Sequence, residues 1–405
     1  MLIAGEASGD LLAAELVSAL RGQLFALDAR SSPQFFGAGG SKVAAAGVEL
    51  AFDLTRHSVI GISDVLKNYF KFRRLFNQLL ALAIERRPDV VIGVDYGGFN
   101  LRFGHAIRQY VRKHPGGWNP KIVQFVSPQV WASRPGRADL LAADYDLLLS
   151  IFPFEKDWYA RRAPKLRVEF VGHPMVGRFN SEGRVPRAPD SDNLVTRGAR
   201  PSEILLLPGS RRSELQRHLP VMLRALKLIQ GKLPAAEAKM VLPDESLAKT
   251  VSLELKFAKK IESLFGLQEI FPNLEIQIGN LPKALAEADV AIASTGTVTM
   301  ECAFFGLPTV TLYILSWLNY QIGIRILTSK WLTMPNILAD EVVYPEFLQY
   351  DATPENLSRA ALELLQDESR RTKIKSQLAG IVASLGEPGA ANRAATAVLS
   401  LFNNS

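Results

Sequence analysis

Short apolar runs, each followed by a small polar turn and an amphipathic helical pattern, recur along the chain. Residues 88–94 (PDVVIGV) are almost continuously apolar, and residues 204–207 (ILLL) and 309–315 (TVTLYIL) are similar. Such runs are typical of strands buried on both faces of a parallel sheet. Because helical patterns separate them, the chain is predicted to be an α/β protein built from βαβ units.

Two series of these units are separated by residues 181–201, a stretch rich in Pro, Arg, Asp, Ser and Gly. This composition is typical of a linker between domains. We therefore predict two Rossmann-like domains facing across a cleft, with the first domain at residues 1–180. A last helical pattern, at about residues 390–402, has no partner that the pattern identifies.

Composition narrows the classes of partner. The 405 residues are 48% hydrophobic and 21% charged, as in folded globular proteins. The 47 Lys and Arg residues against 40 Asp and Glu residues give a net charge of +7. This excess favours phosphorylated substrates or an anionic membrane surface, and it is too dispersed to predict nucleic-acid binding.

Three features bear on the compartment. The first residues, MLIAGEASGD, lack the basic region of a secretory signal, and the single Cys302 cannot form an internal disulfide. Both predict a reducing, cytosolic environment. Residues 302–324 carry no charge, but Gly, Pro and amide residues interrupt them, so a buried strand is favoured over a membrane span.

A candidate phosphate-binding turn lies within residues 291–308 (AIASTGTVTMECAFFGLP). The turn joins a strand to a helix and consists of Ser294, Thr295, Gly296 and Thr297. Amide groups at the helix start, together with the helix dipole, can hold an anion without a metal. Glu301, one turn further, suits a neutral ribose diol, so the stretch predicts a nucleoside diphosphate site. The alternative is an ordinary capped turn with a solvated Glu301.

A second strand-turn-helix junction follows residues 204–207. Gly209 and Ser210 form the turn, and Arg211 stands at the start of the helical pattern. A guanidinium beside a helix start can make charge-assisted bonds to a departing diphosphate. We therefore predict a diphosphate clamp at these three residues.

The candidate general base is Asp95. It follows the buried run 88–94, and ligands of parallel sheets bind at the carboxyl ends of the strands. A carboxylate there can be partly desolvated and directed at a substrate hydroxyl. The alternative is that Asp95 only caps the next helix.

Other residues near such strand ends are candidates for the acceptor site. The turn GEASGD at residues 5–10 suits an anion or a sugar hydroxyl, although such turns are common in α/β proteins. Arg134 and Arg137, after the run 121–126, could bind phosphate or face water. The acceptor candidates are Glu6, Ser8, Gly9, Asn100 and Arg134.

The helical pattern at residues 64–87 combines basic and aromatic side chains. These are Lys67, Lys71, Arg73, Arg74, Tyr69, Phe70, Phe72 and Phe76. The combination predicts either a helix on an anionic membrane surface or a core helix with a solvated basic rim.

No metal centre is predicted. Asp144-Tyr145-Asp146 resembles a metal-binding Asp-x-Asp, but it would lie at the amino end of the strand 147–152, away from the ligand side. The five histidines are scattered without ligand spacing, and His173 is expected to be an ordered loop residue.

Seven short motifs occur in order along nearly the whole chain. They are GEASGD at 5–10, SPQVWA at 127–132, PFE at 153–155, GHP at 172–174, LPGSR at 207–211, STGT at 294–297 with Glu301, and PN at 335–336. Together they resemble lipid A disaccharide synthases. The resemblance implies a GT-B fold with a donor domain at 181–375 and residues 376–405 returning to the N-terminal domain.

The resemblance also implies a reaction and its residues. It is an inverting, metal-independent and cofactor-free transfer of 2,3-diacylglucosamine from its UDP conjugate to 2,3-diacylglucosamine 1-phosphate, which releases UDP during lipid A (lipopolysaccharide) biosynthesis. Asp95 matches the family's catalytic base, and Arg211 and Glu301 match donor-site residues. Because acyl chains hold both substrates in the bilayer, the enzyme is expected at the cytoplasmic face of the inner membrane as a peripheral protein. Its oligomeric state is left open.

The sequence departs from the family's pattern at some positions, and two alternative functions stay open. Ser133 stands where the family often has Trp, and Gly97-Gly98 stands where Pro or Asp is common, so the acceptor pocket is expected to differ in shape. The nearest alternative enzyme is a UDP-N-acetylglucosamine 2-epimerase, which shares the two-domain fold. The other alternative is a non-catalytic carrier of UDP-sugar or lipid.

Overall fold

The computed structural model describes residues 1–30, 32–55, 69–181, 201–254 and 274–402. The chain divides into two compact units, Met1–Glu182 with Leu385–Ser405, and Gly183–Ser384. The C-terminal segment thus rejoins the first unit at Leu385, later than the residue 376 expected from the resemblance.

The first unit contains one parallel sheet of seven strands in the order β3-β2-β1-β4-β5-β6-β7. The strands are β1 (Leu2–Ala4), β2 (Phe36–Gly39), β3 (Glu49–Asp53), β4 (Val90–Val94), β5 (Lys121–Phe125), β6 (Leu147–Ser150) and β7 (Val168–Phe170). The central strands are almost wholly buried, because apolar residues occupy both faces.

The helices of the first unit connect or cover these strands. They are α1 (Ala7–Leu27), α2 (Ser41–Ala45), α3 (Tyr69–Arg86), α4 (Gly97–Lys113), α5 (Val130–Ser133), α6 (Arg137–Asp144), α7 (Pro153–Arg162) and α8 (Pro174–Ser181).

The second unit repeats the arrangement with a six-stranded parallel sheet in the order β10-β9-β8-β11-β12-β13. Its strands are β8 (Glu203–Leu207), β9 (Glu237–Leu242), β10 (Leu274–Ile278), β11 (Val290–Ser294), β12 (Thr309–Tyr313) and β13 (Glu346–Leu348). The prediction of an α/β protein with two parallel sheets is therefore confirmed.

The second unit's helices lie mostly between these strands in the chain. They are α9 (Arg212–Lys232), α10 (Leu281–Glu287), α11 (Thr297–Phe304), α12 (Trp317–Ile326), α13 (Met334–Ala339), the 3-10 turn Gln349–Asp351, α14 (Pro354–Gln366) and α15 (Glu368–Ser384). Residues 245–254 are also helical.

In each sheet, the second and third strands in the chain lie on one side of the first strand and the later strands lie on its other side, so the order changes direction once. In the first sheet this happens between β1 and β4, where Ala4 pairs with Val94. In the second it happens between β8 and β11, where Leu207 pairs with Ala293. Turns leaving adjacent strands at such a point diverge and open a crevice for ligands. The turns singled out from the sequence leave the sheets at these two points.

The last helix of the chain, α16 (Ala390–Leu399), packs on α1 of the first unit. Its buried face is made of small alanines and Val398, which allow close approach to α1. Gln23 of α1 donates to the carbonyl of Asn392 at 2.9 Å and accepts from the Thr396 hydroxyl at 3.1 Å. Arg393 donates to the carbonyl of Val171 at 2.8 Å. The return of the C-terminal helix to the N-terminal unit is confirmed.

The sequence left a membrane role open for two segments, residues 302–324 and residues 64–87. Residues 302–324 divide into the end of α11, the buried strand β12 and α12, and no helix within the described ranges is long and apolar enough to cross a bilayer. The helical prediction at 64–87 corresponds to α3 from residue 69 onward. Residues 64–68, with Lys67, lie outside the described residues.

Candidate functional site

Asp95 immediately follows β4 and has a left-handed backbone, with φ of 52°, as does Tyr96 with φ of 45°. This region is costly for residues with a Cβ, so surrounding contacts must hold it in place. The Asp95 amide donates to the carbonyl of Phe125 at 2.8 Å. Its carbonyl oxygen accepts two side-chain hydrogen bonds, one from Asn100 Nδ2 at 2.8 Å and one from Gln124 Nε2 at 2.9 Å.

Asn100 and Gln124 are both buried, and this explains how the strained turn persists. Gln124 Nε2 also donates to the carbonyl of Val126 at 3.2 Å, another residue with positive φ. The sequence placed Asn100 among acceptor contacts, whereas here its amide nitrogen holds the Asp95 backbone. The sequence did not single out Gln124, because one Gln in a strand resembles an ordinary polar position.

The Asp95 carboxylate is half-buried beside the start of α1. Ser8 Oγ donates to Asp95 Oδ2 at 3.2 Å. A Cβ on Gly9 would lie 3.3 Å from the Asp95 Cβ, so the small residue permits the close approach of α1. Burial raises the pKa of Asp95, although hydrogen bonds from Ser8 and the Tyr96 amide oppose the shift. Three predicted residues, Ser8, Gly9 and Asn100, are thus brought together around Asp95.

Glu6 precedes α1 and occupies its N-cap position. Burial of the Tyr96 ring raises the pKa of its hydroxyl, and the negative charge of Glu6 raises it further. Gly5 is required beneath that ring, since a Cβ there would lie 2.2 Å from Tyr96 Cδ1. The GEASGD turn therefore packs directly against the Asp95-Tyr96 turn.

Asp10, the last residue of that motif, is structural. Its buried carboxylate accepts from the amides of Gly40, Lys42 and Val43 at 2.6, 3.0 and 3.3 Å. These bonds satisfy the start of α2. Asp10 therefore fixes the junction between β2 and α2 rather than a ligand.

Arg134 lies in the turn between α5 and α6, with its side chain exposed. The Arg137 amide donates to the Arg134 carbonyl at 3.0 Å, which places the two arginines on one turn. Burial lowers the pKa of Arg137, and the positive charges of Arg134 and Arg102 lower it further. Three neighbouring guanidinium groups make this surface suitable for an anion.

A buried polar network beside the Asp95 turn was not predicted from the pattern of the sequence. Trp131 Nε1 donates to Glu155 Oε1 at 3.0 Å, and Ser127 Oγ lies 3.1 Å from the Tyr159 hydroxyl. Burial raises the pKa of Glu155 to about 7, although bonds from Trp131 and Ser127 oppose this. The motifs SPQVWA and PFE are separate in the sequence, and the carboxyl group of Glu155 joins them in the structure.

A second candidate site, in the second unit, begins at the turn between β8 and α9. Gly209 has φ of 119°, and a Cβ there would lie 2.6 Å from Glu214 Oε2, so only glycine fits without strain. Arg211 occupies the N-cap position of α9. Its side chain is 62% exposed, and Nη1 lies 3.5 Å from Glu214 Oε1. The guanidinium is therefore open to an incoming anion, with Glu214 as its resting partner. Ser210 is exposed on the same turn.

The adjacent turn connects β11 to α11. Ser294 is buried at the strand end, while Gly296 and Thr297 are exposed. Gly296 has φ of 140° and occupies the N-cap position, where its carbonyl accepts from Thr299 Oγ1 at 2.7 Å. Thr295 donates its amide to the carbonyl of Leu312 at 3.3 Å. Glu301 is half-buried one turn into α11.

Because β8 and β11 are neighbours, the turns at 209–211 and 294–297 lie at one edge of the second sheet. This places the predicted phosphate-binding residues around one crevice of the second unit. Their binding roles remain predictions.

His218 of α9 is a polar residue at this edge that the sequence analysis did not single out. Its ring is fully buried. Nδ1 lies 2.9 Å from the carbonyl oxygen of Pro208, and Nε2 accepts from the Ile314 amide at 3.1 Å. A histidine within an amphipathic helix carries no distinctive sequence signal.

The residues considered for metal binding have other partners. Asp144 accepts from His105 Nδ1 at 2.8 Å, and Asp146 pairs with Arg108, both at the amino end of β6. Within the described part of the chain, no group of three His, Cys, Asp or Glu residues could hold a metal ion. His173 is buried in the loop after β7, where its amide donates to the carbonyl of Leu385 at 2.8 Å.

Comparison with solved structures places the fold. A putative UDP-N-acetylglucosamine 2-epimerase from Listeria monocytogenes aligns with a TM-score of 0.58 at 15% identity, covering 100% of this chain and 96% of that one. A trehalose-6-phosphate synthase aligns with a TM-score of 0.56 at 14% identity, covering 100% and 98%. At such identities the likeness concerns the fold, which is that of GT-B glycosyltransferases and these epimerases.

Sequence comparison is more specific. The family model described as Lipid-A-disaccharide synthetase matches residues 1–401. A lipid-A-disaccharide synthase of Trichlorobacter lovleyi is 36% identical over 405 residues, covering 100% of this chain and 98% of the relative. Another from Myxococcus xanthus is 34% identical over 409 residues, covering 99% and 97%. The chain therefore belongs to the lipid-A-disaccharide synthase family, the glycosyltransferases of lipid A biosynthesis.

Proposed function

We propose that this protein joins UDP-2,3-diacylglucosamine to 2,3-diacylglucosamine 1-phosphate, forming lipid A disaccharide 1-phosphate and UDP with inversion at the anomeric carbon. The observation that carries the proposal is Asp95, a desolvated carboxylate held at the switch point of the first sheet in a chain of this family. Residues 1–180 would serve the acceptor and residues 181–375 the donor.

In this reaction Asp95 takes the proton of the acceptor hydroxyl. The hydroxyl oxygen then forms a bond to the anomeric carbon of the donor, and the bond from that carbon to the diphosphate breaks. General base catalysis of this kind contributes about 10²- to 10⁴-fold. Ser8 and Gly9 lie beside Asp95, and Glu6 precedes them at the N-cap of α1; these residues would orient the acceptor sugar. The Arg134 and Arg137 surface suits the acceptor's 1-phosphate.

The donor's diphosphate would bind at the second switch point. Arg211 exchanges its long contact with Glu214 for charge-assisted bonds to phosphate oxygens. Gly209, Ser210 and the 294–297 turn offer backbone amides at the starts of α9 and α11. Glu301 would accept from ribose hydroxyls. Each donor aimed at the departing UDP is worth about 10²- to 10³-fold in turnover. No cofactor is required.

The acyl chains of both substrates bring a membrane surface into the proposal. On α3, Lys71, Arg73 and Arg74 are exposed, and Phe70 is 79% exposed beside them. The whole of α12 lacks a buried residue, and Trp317 and Leu318 are 65% and 61% exposed. Basic and aromatic side chains of this kind suit the anionic cytoplasmic face of the inner membrane.

The decisive experiment measures UDP release from the UDP-diacylglucosamine donor, with and without acylated acceptor. We expect release only when both substrates are present, together with a disaccharide product. Donor binding without release would identify a carrier instead. Isomerisation of a UDP-sugar without acceptor would identify an epimerase.

A further inference from the structure

The buried imidazole of His218 connects two loops that the second sheet keeps apart. Pro208 follows β8 and Ile314 follows β12, and β11 lies between these strands. Nδ1 of His218 lies 2.9 Å from the Pro208 carbonyl oxygen, and Nε2 lies 3.1 Å from the Ile314 nitrogen. The ring therefore bridges the loops after β8 and β12, the two strands that flank β11.

The chemistry of the two partners defines the protonation of the ring. A carbonyl oxygen can only accept, so Nδ1 must carry a hydrogen; a backbone N–H can only donate, so Nε2 must be bare. The imidazole is therefore neutral, in the Nδ1–H tautomer. An imidazolium would carry hydrogens on both nitrogens and would lose the bond from Ile314.

Burial has the largest effect on the ring and favours the neutral form. It lowers the pKa of His218, whereas the Pro208 carbonyl, Glu214 and the Ile314 bond raise the pKa and Arg217 on the same helix lowers it. Tyr313 of β12 lies with its ring centroid 5.8 Å from that of His218. Gln349 holds the other end of the same loop, since its Oε1 accepts from the Leu315 amide at 3.0 Å.

We propose that neutral His218 is a positioning residue for the donor site, holding the loop that carries Gly209 and Arg211 at a fixed distance from the loop after β12. This inference rests on the proposed function, because the ligand it serves is the UDP portion of the donor. His218 contacts neither the donor nor the acceptor directly. It acts by limiting the motion of the Pro208 end of the clamp, so that Arg211 is already in place when phosphate arrives.

The test combines two substitutions that separate the two bonds. In His218→Asn the side-chain nitrogen can occupy the Nδ1 position and keep the Pro208 bond. In His218→Gln the amide oxygen can occupy the Nε2 position and keep the Ile314 bond. Since a hydrogen bond has a modest net value, each variant should bind UDP roughly 3- to 10-fold more weakly at pH 8. His114→Gln, an exposed histidine of the first unit, is the matched control and should leave UDP affinity unchanged.

A pH series gives a readout that a merely structural role would not change. As pH falls below the ordinary histidine range, the wild-type ring becomes protonated and loses the Ile314 bond, whereas the variants do not titrate. The ratio of variant to wild-type dissociation constants should therefore shrink towards one at acid pH. The ratio also cancels the titration of UDP itself. A ratio of one at pH 8, or a ratio independent of pH, would overturn the proposal.

Wild-type protein supplies an independent measurement. Nitrogen NMR of the imidazole at pH 8 should show His218 as the Nδ1–H tautomer, and an Nε2–H or doubly protonated ring would refute the assignment even if the variants fail to fold. Wild-type protein that does not bind UDP at all would instead remove the proposed donor site. The two failures are thus distinguishable.

Discussion

At the scale of single residues, Asp95 combines a strained backbone with a desolvated carboxylate. The sequence located it at a strand end, but the hydrogen bonds that hold its left-handed backbone come from Asn100, one turn into the next helix, and from Gln124 on the neighbouring strand, 29 residues away. Strain of this kind persists only when neighbours over-determine the conformation. The sequence alternative, a simple helix cap, is not what the contacts show, since Tyr96 occupies the N-cap position of α4.

We expect Asp95→Asn to reduce turnover by about 10²- to 10⁴-fold, because the amide cannot accept the acceptor's proton. UDP affinity, measured by calorimetry, should stay near that of the wild type. In the wild type, kcat/KM should decrease as the pH is lowered through the pKa of Asp95, because the base works only when ionised. Burial raises this pKa, so the decrease should occur above pH 3.8. Asp139→Asn, an exposed carboxylate of the same unit, is the control. Unchanged turnover in Asp95→Asn would remove this residue from the mechanism.

Glu155 allows a prediction about stability. Its pKa is about 7 in the folded protein against 4.5 ordinarily, so the folded state binds the proton more tightly than the unfolded chain. Stability should therefore fall as pH rises from 4.5 to 7, by an amount on the order of 3 kcal/mol for this group. Glu155→Gln cannot ionise, so its melting temperature relative to wild type should rise between pH 5 and pH 8.

The control for Glu155→Gln is the same substitution at an exposed carboxylate. Glu245→Gln, with a side chain 78% exposed, should show no such trend. Parallel melting profiles of Glu155→Gln and wild type across this range would contradict the assignment of the buried proton.

At the scale of elements, each unit has two turns that leave adjacent parallel strands of its own sheet. The β8 turn continues directly into α9, so Arg211 stands where the helix dipole adds to its own charge. Pairing of Leu207 with Ala293 brings the 294–297 turn beside it. One element supplies a charged side chain and the other a helix start, which together suit a diphosphate.

Arg211→Ala should weaken UDP binding by roughly 10- to 100-fold, the value of one or two charge-assisted hydrogen bonds. Calorimetric titration with UDP measures this directly. Arg224→Ala, an exposed arginine of the same helix, makes the same change of charge away from the turn and should bind UDP normally. Equal affinities of the two variants would reject the clamp.

At the scale of the whole molecule, the first unit is discontinuous in sequence, since the segment Leu385–Ser405 completes it. The helix α16 fits against α1 through alanines. The exposed basic residues of α3 and the exposed apolar residues of α12 also belong to this scale, because the role we propose for them is contact with a membrane surface.

Replacement of Lys71, Arg73 and Arg74 by Ser should reduce co-sedimentation with anionic liposomes, since each basic residue near such a surface contributes about 1 kcal/mol. The difference from wild type should diminish as salt is raised. Replacing Arg224, Lys227 and Lys232 on α9, which are equally exposed, removes the same charge from the second unit and should have little effect. Equal sedimentation of both variants would favour a solvated basic rim on α3.

The sequence by itself determined the features that depend on local order. The α/β class follows from alternating apolar runs and helical patterns, and the family follows from motifs such as LPGSR and STGT. The strand-end positions of Asp95 and Arg211 follow from the same patterns, because a buried strand and the turn after it are adjacent in the chain.

Only the tertiary structure decided which distant residues meet. Gln124 supports Asp95, Glu155 joins Trp131 to α7, and His218 bridges the loops after β8 and β12. Each contact involves a single polar side chain whose local pattern is ordinary. Its role depends on strand order and on burial, which remove water and leave one partner within reach. Neither the strand order nor the burial of a single polar side chain is encoded within a short window of residues, and this is why the pattern alone could not reveal these contacts.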